Sequence, residues 1–243
     1  MKIPALIEPC PISEAVLEVR FESDFDDAPI FGIVFNQIKE SFPKTQSLPI
    51  LEIPTHIRNQ DEKLKHLPHY RVVSKEDPNI LIQIGPRVFS IIITNTYPGW
   101  GIFRNHILFG LDSLEKSGVV KRITRLGLRY INFFPENILK KSNLSLNLNG
   151  ASLADSILNL KVELPDEEYI NQLTVNNSVI KSVEGGVIKG SLIDIDTVLQ
   201  TNLGNFFQKK EEILENCHLK EKKLFASLMS DDFVKSLNHI SYV

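Results

Sequence analysis

Along residues 14–22, EAVLEVRFE, apolar and charged side chains alternate. Ala15, Leu17, Val19 and Phe21 share one parity, and Glu14, Glu18, Arg20 and Glu22 share the other. A period of two marks a strand with one buried face and one wet face. Residues 125–134, RLGLRYINFF, repeat this design, with Arg125 and Arg129 opposite Leu126, Leu128, Tyr130 and Phe134. Between these strands the period lengthens. Phe31, Val34, Ile38 and Phe42 recur at helical spacing behind Asp26 and Asp27 and ahead of Pro43, and Phe103, Ile107, Leu111 and Leu114 do so between Trp100 and Gly118. A carboxylate before such a stripe and a glycine after it are helix start and stop signals. Residues 48–53 predict a short strand between prolines, RNQDEKLKHLPH a polar loop, and 70–95 a β-meander broken at KEDPN and GPR. The order is β-α-β-β-α-β with extra strands, that of a ferredoxin-like unit.

PENILKKSNLSLNLNG (135–150) reads as a junction. It divides the chain into a ferredoxin-like half, 1–135, and a half of antiparallel strands with C-terminal helices, 136–243. SILNLKVELP, YINQLTVNN, SVIKSVEGG and VIKGSLIDIDTVLQ predict four strands, with NN and EGG as hairpin turns. Leu203, Phe206, Phe207, Ile213, Leu214, Cys217, Leu224, Phe225 and Leu228 then form one long apolar seam on a helical tail. The expected class is α+β, the two halves packed together.

Composition narrows the partners. A chain of 243 residues with 42% hydrophobic and 23% charged content can bury a real core. A formal charge of −3 gives no general pull toward nucleic acid, and none is indicated as a partner. The two cysteines, Cys10 and Cys217, lack metal-site spacing and suit a reducing compartment. The N-terminal MKIPALIEPCPISE meets Glu8 and two prolines before any apolar run, unlike a secretory signal, and no stretch is long enough to span a bilayer. A cytoplasmic protein is expected, needing no cofactor.

PISEAVLEVRF near the N-terminus, RLGLRYIN in the middle and LIDID before a helical tail resemble, in this order, a sporadically distributed prokaryotic protein family with no assigned activity. The likeness covers nearly the whole chain, and GLRYIN is its most specific block. It implies a bacterial or archaeal protein from a mobile or defence-linked neighbourhood, and it supplies no catalytic residues.

Candidate chemistry lies on the wet strand faces. In a ferredoxin-like order the first and last strands are neighbours, so Glu18 or Glu22 is expected to pair with Arg125 or Arg129. Such a face is either a lattice of cross-strand ion pairs or a charged groove in which arginines grip phosphate. Asp194 and Asp196, two apart on one strand, stand about 6–7 Å from each other, a spacing that can hold Mg²⁺ if a third ligand such as Glu18, Glu22 or Glu163 joins them. No P-loop, Rossmann fingerprint or GxSxG motif is present. The leading expectation is therefore a non-enzymatic interaction or scaffold component acting through self-association or a protein partner. The expected dimer would place Leu203, Phe207, Leu214 and Phe225 of the tail at its interface. The second expectation is a metal-assisted phosphoryl-transfer or hydrolytic enzyme on a phosphorylated or nucleotide substrate, using Glu18, Arg20, Arg129, Asp194 and Asp196.

Overall fold

A computed structural model describes residues 4–183, 185–236 and 239–242. The strands are β1 (Pro4–Glu8), β2 (Ile12–Glu22), β3 (Lys44–Ser47), β4 (Tyr70–Val73), β5 (Ile80–Gly85), β6 (Val88–Thr94), β7 (Arg122–Phe134), β8 (Asn147–Leu148), β9 (Ala151–Ser152), β10 (Asn159–Asp166), β11 (Tyr169–Val183), β12 (Gly186–Leu199) and β13 (His239–Tyr242). The helices are α1 (Asp27–Ile38), α2 (Thr55–Gln60), α3 (Glu62–Lys65), α4 (Trp100–Lys116), α5 (Phe206–Leu228) and α6 (Asp231–Ser236). Nine strands form one antiparallel sheet in the order β10-β11-β12-β7-β2-β6-β5-β4-β3. β1 pairs with β13 and β8 with β9. No described helix is long and apolar enough to cross a membrane. The fold class is α+β, as the alternation of periods predicts.

Packing resolves two compact units, one of residues 14–128 and 198–215, the other of 1–13, 129–197 and 216–243. In the first, register puts Leu17 opposite Ile91, Ile91 opposite Ile82, and Ile82 opposite Val72. All four are fully buried. Each such side chain contributes about 1.5–3 kcal/mol of transfer free energy. One residue along, Glu18, Ser90, Gln83, Arg71 and Gln46 make a polar row on the opposite face. Onto the apolar face α1 lays Ile30, Val34 and Ile38, while α4 lays Phe103, Ile107, Leu111 and Leu114. Gly110 is a point of close approach, since a Cβ there would stand 2.9 Å from Ile91 Cγ1 and 3.2 Å from Phe89 Cε1. Gly118, at φ +70°, ends α4 as the sequence predicts.

The second unit has its own core. Phe134, Leu173, Val175, Ile193 and Ile195 from the sheet meet Leu228, Met229 and Phe233 from the tail, with Leu224 and Phe225 packed at its margin.

Several local expectations are corrected. Residues 49–52 form a 3-10 turn with Pro49 at its start instead of a strand, and the strand of this region is Lys44–Ser47. The polar stretch of 58–69, expected as a loop, holds the end of α2 and all of α3, and the Asp61 side chain accepts the Lys63 amide at 2.8 Å to start the second. In α1 it is Ile30 that is buried, while Phe31 is only partly covered and stacks on Tyr70 at 3.9 Å. NN is not a turn, because β11 runs straight through it. The Asn177 carboxamide accepts the Leu158 amide at 2.8 Å and donates to Ser156 O at 2.8 Å, so it continues the ladder where the neighbouring strand begins. EGG does turn the chain at Gly185, φ +87°; its Glu184 lies outside the described residues.

Gly110→Val should lower unfolding free energy by about 1–3 kcal/mol through overpacking. Gly101→Ala, in the same helix with open space around it, should be neutral or stabilising by less than about 1 kcal/mol. Denaturant unfolding of the two variants checks the contrast.

Candidate functional site

In the unit of residues 14–128 and 198–215, the wet face of β2 carries a shared acceptor. Glu18 Oε1 accepts from Arg125 Nη1 at 3.0 Å across the strands and from Arg20 Nε at 2.8 Å along its own. Arg125 has only 11% of its side chain exposed, so this interaction is screened less than an ordinary surface pair. The expected glutamate–arginine pairing thus occurs at Glu18–Arg125. Glu22 instead takes Arg122, which donates Nε and Nη2 at 2.6 Å each. Those hydrogen bonds hold the Glu22 carboxyl below the usual range and raise Arg122.

In the other unit Arg129 grips Asp194 with two hydrogen bonds of 2.7 and 2.6 Å, leaving Asp194 15% exposed. Asp196 shares its parity, and its charge, after burial, adds to the upward shift of the Cys217 thiol. Glu163 faces Gln172 in register and accepts its amide at 3.0 Å. Both Asp194 oxygens are therefore engaged by a guanidinium where a divalent cation would need them. Among the described residues no group of three or more His, Cys, Asp or Glu is placed to hold a metal ion. Cys10 and Cys217 are free thiols.

The helical seam is used within the chain. Leu214 is fully buried and Leu203 is 6% exposed, so neither has surface to offer. Phe207 is half-buried, edge-on to Phe206 at 5.3 Å with the Lys210 ammonium 5.8 Å above its ring, and Phe225 is half-buried at the margin of the second core. Charged straps fix the first part of α5 in its own unit: Trp100 donates its indole N–H to Glu215 at 3.1 Å, Arg104 Nε reaches Glu215 at 2.8 Å, and Lys210 reaches Asp112 at 2.6 Å. The later part hides titratable groups. Tyr130 meets His218 Nδ1 at 3.4 Å, and burial pushes that imidazole down to about 4. Glu221, one turn on and 6% exposed, is pushed up to about 8 by burial, the neighbouring Lys222 offsetting a little.

One element escapes a reading that puts a turn at NN. β10 ends its pairing at Asn159–Asn176, and Asn177 N still donates to Leu158 O at 3.2 Å, so β11 runs past its neighbour from residue 178 onward. A Cβ on Gly190 would lie 2.1 Å from Phe134 O, which places the end of β7 against that glycine and leaves residues 186–189 beyond it. The hairpin of 178–183 and 185–189 is thus an arm, and it exposes Ile180 (65%), Val183 (39%), Val187 (63%) and Ile188 (38%). Lys181 folds back, its ammonium 5.2 Å from the Phe133 ring centre. A β-branched run after NN was the available signal, and it is legible only once the strand is seen to continue.

A double-mutant cycle on Arg129→Ala and Asp194→Ala should give a coupling of about 0.5–1 kcal/mol, while the exposed Arg122–Glu22 pair should give a smaller one that salt removes. The pH profile should show two opposed slopes. Buried neutral, His218 binds fewer protons folded than unfolded, so stability falls as pH drops from about 6.5 through 4. Glu221, protonated when folded, binds more, so stability falls as pH rises from about 4.5 through 8. Melting temperature should therefore decline between pH 6.5 and 8.5, and Glu221→Gln should flatten that decline. No family model matches the chain, and no curated protein matches it.

Proposed function

We propose that the protein is a non-enzymatic interaction component that associates with a second copy of itself through the β11–β12 arm. The carrying observation is the arm's four exposed aliphatic side chains on a hairpin whose strands outrun their neighbours. Unpaired strand edges with apolar side chains are templates for pairing with another chain. Two identical edges meeting antiparallel make a self-complementary, two-fold contact, the commonest symmetry of soluble oligomers. Lys181, drawn onto Phe133, does not set one ammonium against its symmetry mate. Phe207 and Phe225 keep partial exposure on the tail and would be secondary contributors.

Two further readings belong to this proposal. One is a ferredoxin-like arrangement of the N-terminal elements, supported by the order β7-β2-β6-β5, with α1 within the longer connection from β2 to β5 and α4 joining β6 to β7. The other is membership of the sporadically distributed prokaryotic family, supported by the PISEAVLEVRF, RLGLRYIN and LIDID stretches. The metal-assisted enzyme reading draws less support, because Arg129 and Asp194 neutralise each other.

Sedimentation of the purified chain should show a dimer well above micromolar concentration, and Ile180→Lys with Val187→Lys should show a monomer with an unchanged melting temperature. A monomeric wild-type chain under those conditions overturns the proposal; a dimer that survives the double substitution moves the contact off the arm.

A further inference from the structure

A cleft of about 170 Å³ opens in the first unit beside the start of α1, walled by Asp27, Arg58, Lys65, His69 and Arg87. At about 30 Å³ each, that is the volume of roughly six water molecules. Its charges do not balance. Three cations face one carboxylate, Asp27, whose Oδ1 is 3.1 Å from Arg87 Nη2. The remaining Arg87 bonds go to the Pro86 carbonyl at 2.7 Å and the Phe25 carbonyl at 3.3 Å, which aim the group without neutralising it. Lys65 has an exposed helical neighbour, Glu62, at 3.2 Å, a contact of the kind that contributes little.

Arg58 is the most unusual of the three. Its Nη2 donates to Thr55 Oγ1 at 3.0 Å and its Nη1 lies 2.8 Å from His69 Nε2. Burial, helped by Arg58 itself, pushes His69 down to about 4, so at neutral pH it is an uncharged partner. The Arg58 Nε is buried with no hydrogen-bond partner among the described residues. A guanidinium left short of acceptors costs free energy, and an oxyanion beside its outer nitrogens, Nη1 and Nη2, offsets its charge.

We propose that this cleft binds a doubly charged oxyanion of the phosphate class, free phosphate or a phosphomonoester, held by Arg58 and Lys65 with Arg87 closing the third side. A dianion cancels the two surplus charges of the wall. Arginine's planar fork matches two oxygens of such a group, and lysine adds a point charge. The site is independent of the arm, so association and anion binding can be tested separately.

The test follows the His69 ring resonances by NMR while inorganic phosphate, and separately O-phosphoserine, is titrated at constant ionic strength against a chloride control. The proposal expects a saturable shift with at least one phosphate probe and none with chloride. Tighter binding of O-phosphoserine identifies a monoester ligand; equal or weaker binding identifies free phosphate. Arg58→Gln should weaken binding about tenfold or more, the loss of one charged hydrogen-bonding partner. Lys65→Gln, an exposed substitution that leaves folding intact, should weaken it severalfold, and Arg122→Gln, outside this cleft, should change nothing. No saturable shift with either probe overturns the proposal, as does undiminished binding in folded Arg58→Gln. If Arg58→Gln does not fold, undiminished binding in Lys65→Gln overturns it instead.

Discussion

The pleat of the long sheet is the constraint on which the other features rest. Leu17, Ile91, Ile82 and Val72 line up across four strands on one face, and Glu18, Ser90, Gln83 and Arg71 line up one residue away on the other. A register slip of a single residue would carry Glu18 and Arg71 into the helix-covered core and put four aliphatic side chains in their place. The ionic partners of the wet face therefore do not need to be strong to be accurate. Their positions are fixed by the hydrophobic row behind them, and the Glu18–Arg125 contact reports that register more than it creates it.

This division explains which features could be read from the chain. Alternation at Ala15, Leu17, Val19 and Phe21 and the four-residue stripe ending at Leu114 are local signals, and every one of those side chains is buried. The α+β class follows from them. What could not be read is non-local. Parity showed that Arg129 shares a face with its neighbours but not that its carboxylate stands 65 residues away on β12. Asn177 carries the composition of a turn, yet its backbone and carboxamide together hold residues 156–158 beside β11, a role visible only when that segment is in place.

The tail illustrates the same limit in reverse. Its apolar seam was legible, and its length suggested a surplus that a second chain must cover. Phe134, Leu173, Val175, Ile193 and Ile195 absorb its later part, because the strands that bear them need a helical cover of their own. Four further aliphatic side chains, Ile180, Val183, Val187 and Ile188, are exposed together on the arm, where strand length rather than helix periodicity creates the surface. The charged strand faces were legible as positions and not as chemistry: a row of guanidinium groups becomes a binding surface only if carboxylates do not already occupy it.

Glu221 sits in that seam among side chains chosen for their lack of charge. With its carboxyl pushed up to about 8, it carries a proton at neutral pH in the folded chain and none when unfolded. The formal charge of −3 counted from the sequence includes this carboxyl as an anion, the form that burial disfavours in the folded chain. Folding near neutrality takes a proton from the buffer. The heat of unfolding then includes the heat of ionising that buffer, and native and denatured chains migrate in an electric field with different charges although no atom but hydrogen has been exchanged.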